Sequence, residues 1–526
     1  MAANAPPARR RSPAADAMVA AGILVSRLAG LVRVRFFSHY FGQQSLAADA
    51  FNAAFRIPNL LQNLFGEGAL SGSFIPVYAG LRARGEDAAA AQAARTFFVG
   101  LSFVIAVLVL IGVVLAPWIT PLIVPGFSGE KREVTIRLVR ILFPGAGFLV
   151  ASAWCLGVLN SHGKFLLSYT APVAWNAAMI ATLLVFGQTH ANDLDRLAIY
   201  LAWGSVAGSV LQLAVQWPFA RALTRHGGAT AMSEPVRQMG RNFTPIAISR
   251  GAVQVSGFID QWIASFLPTG AVTGLTYAQQ IYTLPVSLFG ISVSASELPA
   301  LSSVAARAET ETLRKRIDLA LERLTFFTVP SAVAFAAIGD VVAGTLLQTG
   351  RFGADDARIV WGILAGSAIG LVASTQSRLY GVAHYALHDT KTPLRYALVR
   401  LTFVTGLGYV CALFVPTWLG IAPIWGTAGL TASAGLSGWI EFLLLRASLT
   451  RRIGATGVPA SLTARLWVAA SLAGAAGFFL NRALPSSGPL VRGAIVLPVF
   501  GVVYFAAAFA MSVPVLKVLK RRHGSG

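Results

Sequence analysis

The stretch FRIPNLLQNLFGEGALSGSFIP, residues 55–76, places charged and amide side chains inside one of the first hydrophobic segments of the chain. Side chains three and four residues apart share one face of a helix. Polar residues keep that spacing through the segment: Asp49, Asn52, Arg56, Asn59, Asn63, Glu67 and Ser71. A charge at the bilayer centre costs about 2.5–3.5 kcal/mol, so we expect this polar stripe to face water, a partner or a charged ligand. For Glu67, which stands between two glycines, capping of a helix hinge is the alternative.

A later hydrophobic segment carries a second polar stripe with the same helical spacing. Its members are Thr273, Thr276, Gln280, Thr283, Ser287, Gly290, Ser294 and Glu297. Polar residues on broken helices of transporters commonly line cavities. The two stripes therefore predict a hydrated cavity between the two halves of the chain, where a transporter with alternating access would bind its cargo.

Charged residues also lie in two other hydrophobic segments: Arg27 near the middle and Arg33 toward the outer end of the first, and Arg250 and Asp260 in the seventh. The guanidinium group of arginine stays charged and has a planar fork of donors that suits phosphate or carboxylate. The positive excess therefore predicts an anionic cargo. Structural ion pairs are the alternative for these residues and for Asp49.

The composition indicates a polytopic membrane protein. Of 526 residues, 55% are hydrophobic and only 12% are charged, whereas a soluble domain carries about a quarter charged residues. The net charge of +21 would suggest a nucleic-acid partner in a soluble protein. Here the basic residues flank apolar segments, so membrane topology explains them and no nucleic acid is expected.

The hydrophobic segments predict an all-α fold with about fourteen transmembrane helices. Their approximate limits are 17–41, 47–83, 88–118, 132–160, 164–187, 194–221, 235–267, 271–305, 312–347, 355–386, 391–416, 422–448, 461–482 and 489–516. Lysine and arginine concentrate in alternate loops, which predicts that both termini are cytoplasmic and that the chain spans the inner membrane many times.

The chain also repeats itself, since LRARGEDAAAAQAARTFF resembles VAARAETETLRKRIDLALERLTFF about 225 residues later. We therefore predict two parallel six-helix lobes, residues 17–226 and 234–449, followed by a final helix pair at 461–516. Residues 1–16 and 517–526 are predicted to be basic cytoplasmic tails, the first of them disordered.

Other patterns that could do chemistry favour structural roles. His384 and His388 are four residues apart, but beyond Asp389 no further metal ligand is evident. Asp193 and Asp195 fit the start of a helix. The sequence holds no phosphate-binding glycine loop and no nucleophile elbow. We expect a transporter rather than an enzyme, without a metal or a cofactor.

The segments SRLAGLVRVRFFSHYFG and ADAFNAAFRIPNLLQNLFGEGALSGSFIPVY resemble the N-terminal signature of the MurJ (MviN) lipid II flippases. RQMGRNFTPIAIS, IASFLPTGAVTGLTYAQQIYTLPVSLFG and the HDTKTP loop extend the resemblance through both repeats. It implies a member of the multidrug/oligosaccharidyl-lipid/polysaccharide exporter superfamily, with V-shaped lobes and a central cationic cavity. It also implies a lipid-tail groove in the final helix pair and lipid II, the lipid-linked peptidoglycan precursor, as cargo.

The resemblance carries over to individual positions. Arg27 and Arg33 match arginines of the family cavity, Asp49 matches an acid before an Ala-Phe pair, and Glu67 matches the acid of an EGA turn. The chain departs from the family at two places where basic residues are frequent. It has amides there: Gln62 and Asn63 at the first place, and Gln279 and Gln280 at the second. We hypothesise that Arg250 replaces the missing charge.

These residues suggest a division of roles. Arg27, Arg33 and Arg250 would hold the diphosphate of the cargo, and Gln280 of the second stripe is a further substrate-binding candidate. Asp49, Arg56 and Glu67 would set the charge balance of the first stripe or gate the path, and Asp260 is the candidate for coupling to Na⁺ or H⁺. Coupling to the membrane potential alone is the alternative.

A monomer in contact with membrane lipids is expected, and cell-wall synthesis proteins are candidate partners. Three other functions remain open from the residues alone. They are a flippase for another lipid-linked oligosaccharide, such as an O-antigen or capsule unit, a membrane glycosyltransferase or polymerase, and a scaffold for wall synthesis.

Overall fold

The computed structural model describes residues 13–225, 231–307, 309–485 and 487–513. Most of the predicted N-terminal tail and all of the predicted C-terminal tail lie outside these residues. The described chain is almost wholly helical, with one isolated bridge between Thr349 and Phe352. The predicted all-α class is thereby confirmed.

The α-helices are α1 (Pro13–Phe41), α2 (Leu46–Phe65), α3 (Glu67–Ala83), α4 (Asp87–Ile123), α5 (Gly129–Ser161), α6 (Phe165–Phe186), α7 (Leu194–Leu223), α8 (Glu234–Ala264), α9 (Ala271–Pro285), α10 (Ser292–Ala305), α11 (Thr310–Leu347), α12 (Ala354–Ala386), α13 (Lys391–Leu413), α14 (Val415–Trp418), α15 (Gly426–Ile453), α16 (Ala460–Ala483) and α17 (Pro489–Ala510). A π-helical turn, Val286–Ile291, joins α9 to α10, and a short 3₁₀ turn, Pro423–Trp425, precedes α15.

Within the described residues, 11 helical segments are long and apolar enough to cross a membrane. They extend from α4 to α7 and from α9 to α17, with α9 and α10 forming one segment. The remaining long helices, α1, α2, α3 and α8, carry the deep charges and the first polar stripe. Charged side chains lower the hydropathy of a helix, and α1, α2 and α8 carry several of the candidate functional residues, whereas α3 has only 17 residues.

The chain packs as two compact units. Unit 1 contains the described residues up to Phe41 together with Ser45–Phe258, and unit 2 contains Gly42–Gln44 and the described residues from Ile259 onward. Helix α8 therefore contributes to both. Helices at corresponding places in the two repeats have similar lengths: α5 and α12 each have 33 residues, and α4 and α11 have 37 and 38.

Unit 1 is built around α5, which packs against α2, α4 and α7. Trp154 and Phe74 are buried at the contacts of α5 with α3. A buried polar network ties α5 to α7, since Ser152 Oγ donates to Gln216 Oε1 at 2.6 Å and accepts from Gln212 Nε2 at 2.9 Å. Such satisfied polar contacts fix helix register where hydrophobic packing alone would be permissive.

The C-terminal end of α5 is held to α3 by a hydrogen bond. The Tyr78 hydroxyl lies 2.9 Å from His162 Nε2, in the turn after α5. Burial of the ring, followed by the nearby Arg82 charge, lowers the pKa of His162 to about 4. The imidazole is therefore neutral at physiological pH.

Unit 2 is built around α12, which lies between α11 and α15. A Cβ on Gly370 of α12 would strike the backbone of Gly435 of α15, so small residues allow these two helices to cross closely. The final pair, α16 and α17, packs on α11. Asn481 Nδ2 of α16 donates to Asp340 Oδ2 at 2.9 Å, and the Tyr504 hydroxyl of α17 donates to the Phe326 carbonyl.

Candidate functional site

The first polar stripe lies on two helices, because α2 ends at Phe65 and α3 begins at Glu67. The Gly66 N–H donates to the Gln62 carbonyl at 2.8 Å. A Cβ on Gly66 would collide with that same carbonyl oxygen. Glycine is therefore required at the break, which divides the single helix predicted over 47–83 into two.

The stripe begins with a buried ion pair. Asp49 is 0% exposed, and its Oδ2 lies 2.7 Å from Nζ of Lys131, at the start of α5. The ammonium group also lies 4.1 Å from the centroid of the Phe127 ring. The structure thus provides the ion pair that the sequence left as an alternative for Asp49, and the accessible part of the stripe begins at Asn52.

The middle of the stripe packs against α8. Arg56 is half-buried, with its guanidinium carbon 5.7 Å from the centroid of the Phe258 ring. Asn63 Nδ2 donates to Gln254 Oε1 at 3.3 Å. A Cβ on Gly257 would overlap the Arg56 guanidinium, so this glycine makes the room that the arginine occupies.

Arg250 lies against the start of α3. A Cβ on Gly68 would overlap its guanidinium group, and the neighbouring Glu67 feels its positive charge. One turn along α3, a Cβ on Gly72 would press on the side chain of Ile246. The glycines of the EGALSG sequence therefore form the surface on which α8 lies, and they place opposite charges side by side at Glu67 and Arg250. Both of these side chains are exposed.

Helix α6 holds Arg33 of α1 in place. Arg33 Nε donates to Asn176 Oδ1 at 3.0 Å, and its guanidinium carbon lies 5.0 Å from the centroid of the Trp175 ring. Asn176 is itself fixed, because its amide donates to the Pro172 carbonyl at 3.0 Å. A guanidinium has five N–H donors, and among the described residues only Nε has a hydrogen-bond acceptor in the protein. The other donors can bind an oxyanion.

Arg27 lies six positions earlier on α1 and is exposed. Unit 1 thus carries candidate cationic side chains on three helices, Arg27 and Arg33 on α1, Arg56 on α2 and Arg250 on α8, and the acid Glu67 is exposed. An arginine that is held in place by another helix loses less entropy when it binds a phosphate or carboxylate. Arg33, held by α6, is therefore suited to binding an anion.

The chain was compared with proteins of known family, sequence and structure. A family model described as lipid II flippase MurJ matches residues 37–513. The chain belongs to the MurJ family. It is 31% identical over 523 residues to the probable lipid II flippase MurJ of Rhizobium meliloti (strain 1021), with 96% of this chain and 95% of the relative covered. It is 32% identical over 439 residues to the lipid II flippase MurJ of Burkholderia cenocepacia, with 82% of each chain covered.

Solved structures show the same fold. The structure titled "Lipid II flippase MurJ, inward closed conformation" matches with a TM-score of 0.71 and 23% identity, covering 94% of this chain and 98% of that one. An inward-facing multidrug resistance MATE family transporter of the MOP superfamily matches with a TM-score of 0.64 and 16% identity, covering 83% and 98%. The resemblance to MurJ proteins is confirmed, and the MATE family transporter shares the fold.

Unit 2 of this MurJ-family chain holds the second polar stripe, on α9, the π-helical turn and α10. Thr273 and Glu297, near its two ends, are buried, and Glu297 Oε2 lies 2.7 Å from Arg316 Nε of α11. Gln280 is exposed near the middle, ahead of the π-helical turn. Asp260, in the last turns of α8, is half-buried. Both stripes thus have a buried, ion-paired end and an accessible middle.

The residues set aside as structural have structural partners. Asp193 accepts a hydrogen bond from the Arg196 N–H at 3.0 Å, which confirms its place at the start of α7. Burial alone would raise the pKa of the Asp389 carboxyl, but hydrogen bonds from Thr392 and the Arg452 charge outweigh it and lower the pKa to about 2. Among the described residues, no three His, Cys, Asp or Glu side chains are grouped to hold a metal.

Sequence reasoning did not identify the partners that hold the charged residues. Lys131 falls where a helix was predicted to begin, and Trp175 and Asn176 lie in an otherwise apolar segment. The only signal for Asn176 was an amide inside a membrane helix, which usually hydrogen-bonds to another helix. That signal does not reveal which helix.

Proposed function

We propose that this chain moves lipid II, the undecaprenyl-diphosphate-linked peptidoglycan precursor, from the inner to the outer leaflet of the bacterial cytoplasmic membrane. Membership of the MurJ family supports this function. The observation that carries the proposal is Arg33, an arginine of α1 that Asn176 and Trp175 orient and that keeps donors for an oxyanion. The chain is a transporter rather than an enzyme.

The cargo sets the physical problem. A diphosphate-sugar-peptide headgroup cannot cross hydrocarbon, and a polyprenyl tail should not leave it. We assign the diphosphate to Arg27 and Arg33, with Arg250 as a further cation beside the break at Gly66. Arginine suits this task because its charge persists in a low-dielectric site and its fork binds phosphate through two hydrogen bonds.

We assign the charge balance of this site to Glu67 and Arg56. Glu67 neighbours Arg250, and a carboxylate beside an arginine weakens the grip on an anion that must be released. Arg56 is held against α8 by Phe258 and the Gly257 backbone. Cargo binding and release would then depend on how α8 lies along α2 and α3.

Movement of the headgroup would follow alternating access of the two repeats, with Gln280 lining the path and the α16–α17 pair holding the lipid tail. An inside-negative membrane potential favours outward movement of an anion by about 2.3 kcal/mol per charge per 100 mV. Coupling to Na⁺ or H⁺ through Asp260 is the alternative drive, and dependence of transport on either ion gradient separates the two.

Both termini are proposed to be cytoplasmic, because basic residues concentrate in the loops on that side. The protein is expected to act as a monomer among membrane lipids. Cell-wall synthesis proteins are candidate partners, since they consume the transported precursor.

Complementation tests the function. A bacterium depleted of its own lipid II flippase would express the wild-type chain, Arg33→Ala, or the control Arg358→Ala, whose side chain is exposed and paired with Asp355. Outward-facing lipid II would be measured by its accessibility to an external protease or muramidase. We expect recovery with the wild type and the control, and failure with Arg33→Ala at equal membrane expression.

Failure of the correctly inserted wild type to restore outward-facing lipid II would contradict the proposal. Cargo identity requires a second assay. In vesicles, excess lipid II should suppress transport of labelled lipid II more strongly than an undecaprenyl-diphosphate-linked O-antigen unit does.

A further inference from the structure

Two arginines of unit 2 lie deep in membrane-crossing helices and belong to neither polar stripe. Arg378 lies about eight residues before the end of α12 at Ala386, a rise of about 12 Å. Arg400 lies about nine residues after the start of α13 at Lys391. Both helices are apolar enough to cross a membrane. Arginines within membrane-crossing helices almost always face the helix bundle or a water-filled cavity, because contact with lipid tails is costly.

Four helices of unit 2 bring polar groups to these arginines. Arg400 Nη1 of α13 donates to Glu441 Oε2 of α15 at 3.1 Å. The Tyr282 hydroxyl of α9 lies 2.9 Å from Ser374 Oγ, one turn before Arg378 on α12. The charges of Arg378 and Arg400 both act on that hydroxyl. We call Tyr282, Arg378, Arg400 and Glu441 the unit 2 charge cluster.

The cluster has an excess of positive charge. Glu441 balances Arg400, and these side chains are 12% and 36% exposed. Arg378 is exposed and has no ion-pair partner among the described residues. A cluster with two cations and one anion in a low-dielectric region attracts an oxyanion, and the unpaired guanidinium supplies the donors for it.

We propose that the unit 2 charge cluster binds an oxyanion of the transported headgroup, as a second anion subsite. This inference rests on the proposed flippase function. Arg378 contacts the oxyanion and the Tyr282 hydroxyl orients toward it. The Arg400–Glu441 pair is a positioning element that keeps a second positive charge nearby. The oxyanion is either a phosphate of the diphosphate or a carboxylate of the peptide.

Binding of two lipids to the full chain in nanodiscs distinguishes these sources. The probes are lipid II and undecaprenyl diphosphate, and the variants are Arg378→Gln, Arg378→Lys and the control Arg395→Gln, an exposed arginine of α13. We expect Arg378→Gln to weaken lipid II binding about tenfold, the scale of one lost charge-assisted contact. Arg378→Lys should retain most of the affinity and Arg395→Gln nearly all of it.

The two probes then locate the contact. Equal weakening for both lipids assigns the subsite to phosphate, and weakening for lipid II alone assigns it to a peptide carboxylate. Wild-type affinity of Arg378→Gln for both lipids would overturn the subsite. If the wild type binds neither lipid, the flippase function fails as well, so the two failures are distinguishable.

Glu441→Gln separates binding from a purely structural ion pair. Removing the acid leaves two cations, so an anion subsite should bind lipid II more tightly in Glu441→Gln than in the wild type. If the pair is only structural, Glu441→Gln should instead melt at a lower temperature and bind lipid II no more tightly. The double variant Arg400→Gln/Glu441→Gln should then regain the wild-type melting temperature. That second pattern would refute the assigned role of the pair.

Discussion

Replacing Asp49 by asparagine tests the buried ion pair at the start of the first polar stripe. The carboxylate is 0% exposed and the Lys131 side chain 12%, with 2.7 Å between Oδ2 and Nζ. At an effective dielectric constant of about 20, charges this close attract by about 6 kcal/mol, much of which offsets their desolvation. Asp49→Asn leaves the Lys131 ammonium buried without a counter-charge. Loss of one partner of a buried pair costs about 3–5 kcal/mol.

The double variant Asp49→Asn/Lys131→Met removes both charges and keeps the approximate volumes. We expect it to regain most of the lost stability, because replacing a whole buried pair by neutral groups is often nearly neutral. Thermal unfolding, followed by tryptophan fluorescence, would be measured for the wild type, Asp49→Asn, Lys131→Met and the double variant. An Asp49→Asn protein that melts with the wild type would refute the reasoning, as would a double variant that melts no higher than either single variant.

The same double variant separates the two roles considered for Asp49. A stable double variant that still complements a flippase-depleted strain would assign Asp49 to structure alone. A stable double variant that fails to complement would show that the carboxylate also acts in transport, as the sequence resemblance implies.

Three further perturbations test local arguments. Gly68→Ala should displace the Arg250 guanidinium and lower transport as much as Arg250→Ala does, with stability changed by only about 1 kcal/mol because the arginine can swing away. Gly80→Ala on the same helix, where a Cβ would meet only the distal Arg84 side chain at 4.0 Å, is the matched control, and full transport by Gly68→Ala would contradict the argument. Asp389→Asn should lower the melting temperature at pH 7, by a free energy of about 1–3 kcal/mol for lost charge-assisted hydrogen bonds. Because the folded pKa of Asp389 is about 2 and the unfolded value about 3.9, its stabilising effect is present above about pH 4 and is lost as the pH falls through 2. An Asp389→Asn protein that melts at the wild-type temperature at pH 7 would contradict the stabilising role of the Asp389 carboxylate. His162 has a folded pKa of about 4 and an unfolded value of about 6.5, so acidification from pH 7 to 5 should destabilise the wild type because the unfolded chain takes up the proton first. That loss should be smaller in His162→Gln, and identical pH profiles for the two proteins would rule out the assigned pKa.

The helical period of the sequence predicted much of the fold and part of the candidate site. It located polar faces on the segments that form α2, α3 and α9, but it predicted one helix where Gly66 separates α2 from α3. It also indicated an anionic cargo from the depth and type of Arg27 and Arg33. These features depend on neighbouring residues only, because side-chain spacing on a helix is a local property.

Local spacing did not reveal the accessibility of each member of a stripe. Asp49 and Glu67 are members of one periodic series, yet the first is buried and the second is exposed. The difference comes from Lys131, which lies 82 positions from Asp49 along the chain. Arg250 was proposed from depth alone, while its place over Gly68 depends on how α8 packs along α3.

The sequence by itself determined that this chain is an all-α membrane protein of the MurJ type with cations in its helices. Only the tertiary structure decided which of those cations are neutralised and which keep donors for a ligand. Arg33 is oriented by Asn176, 143 positions away, and Arg400 is paired with Glu441 on another helix. Burial and pairing depend on which helices pack together, and that packing brings together residues far apart in the sequence.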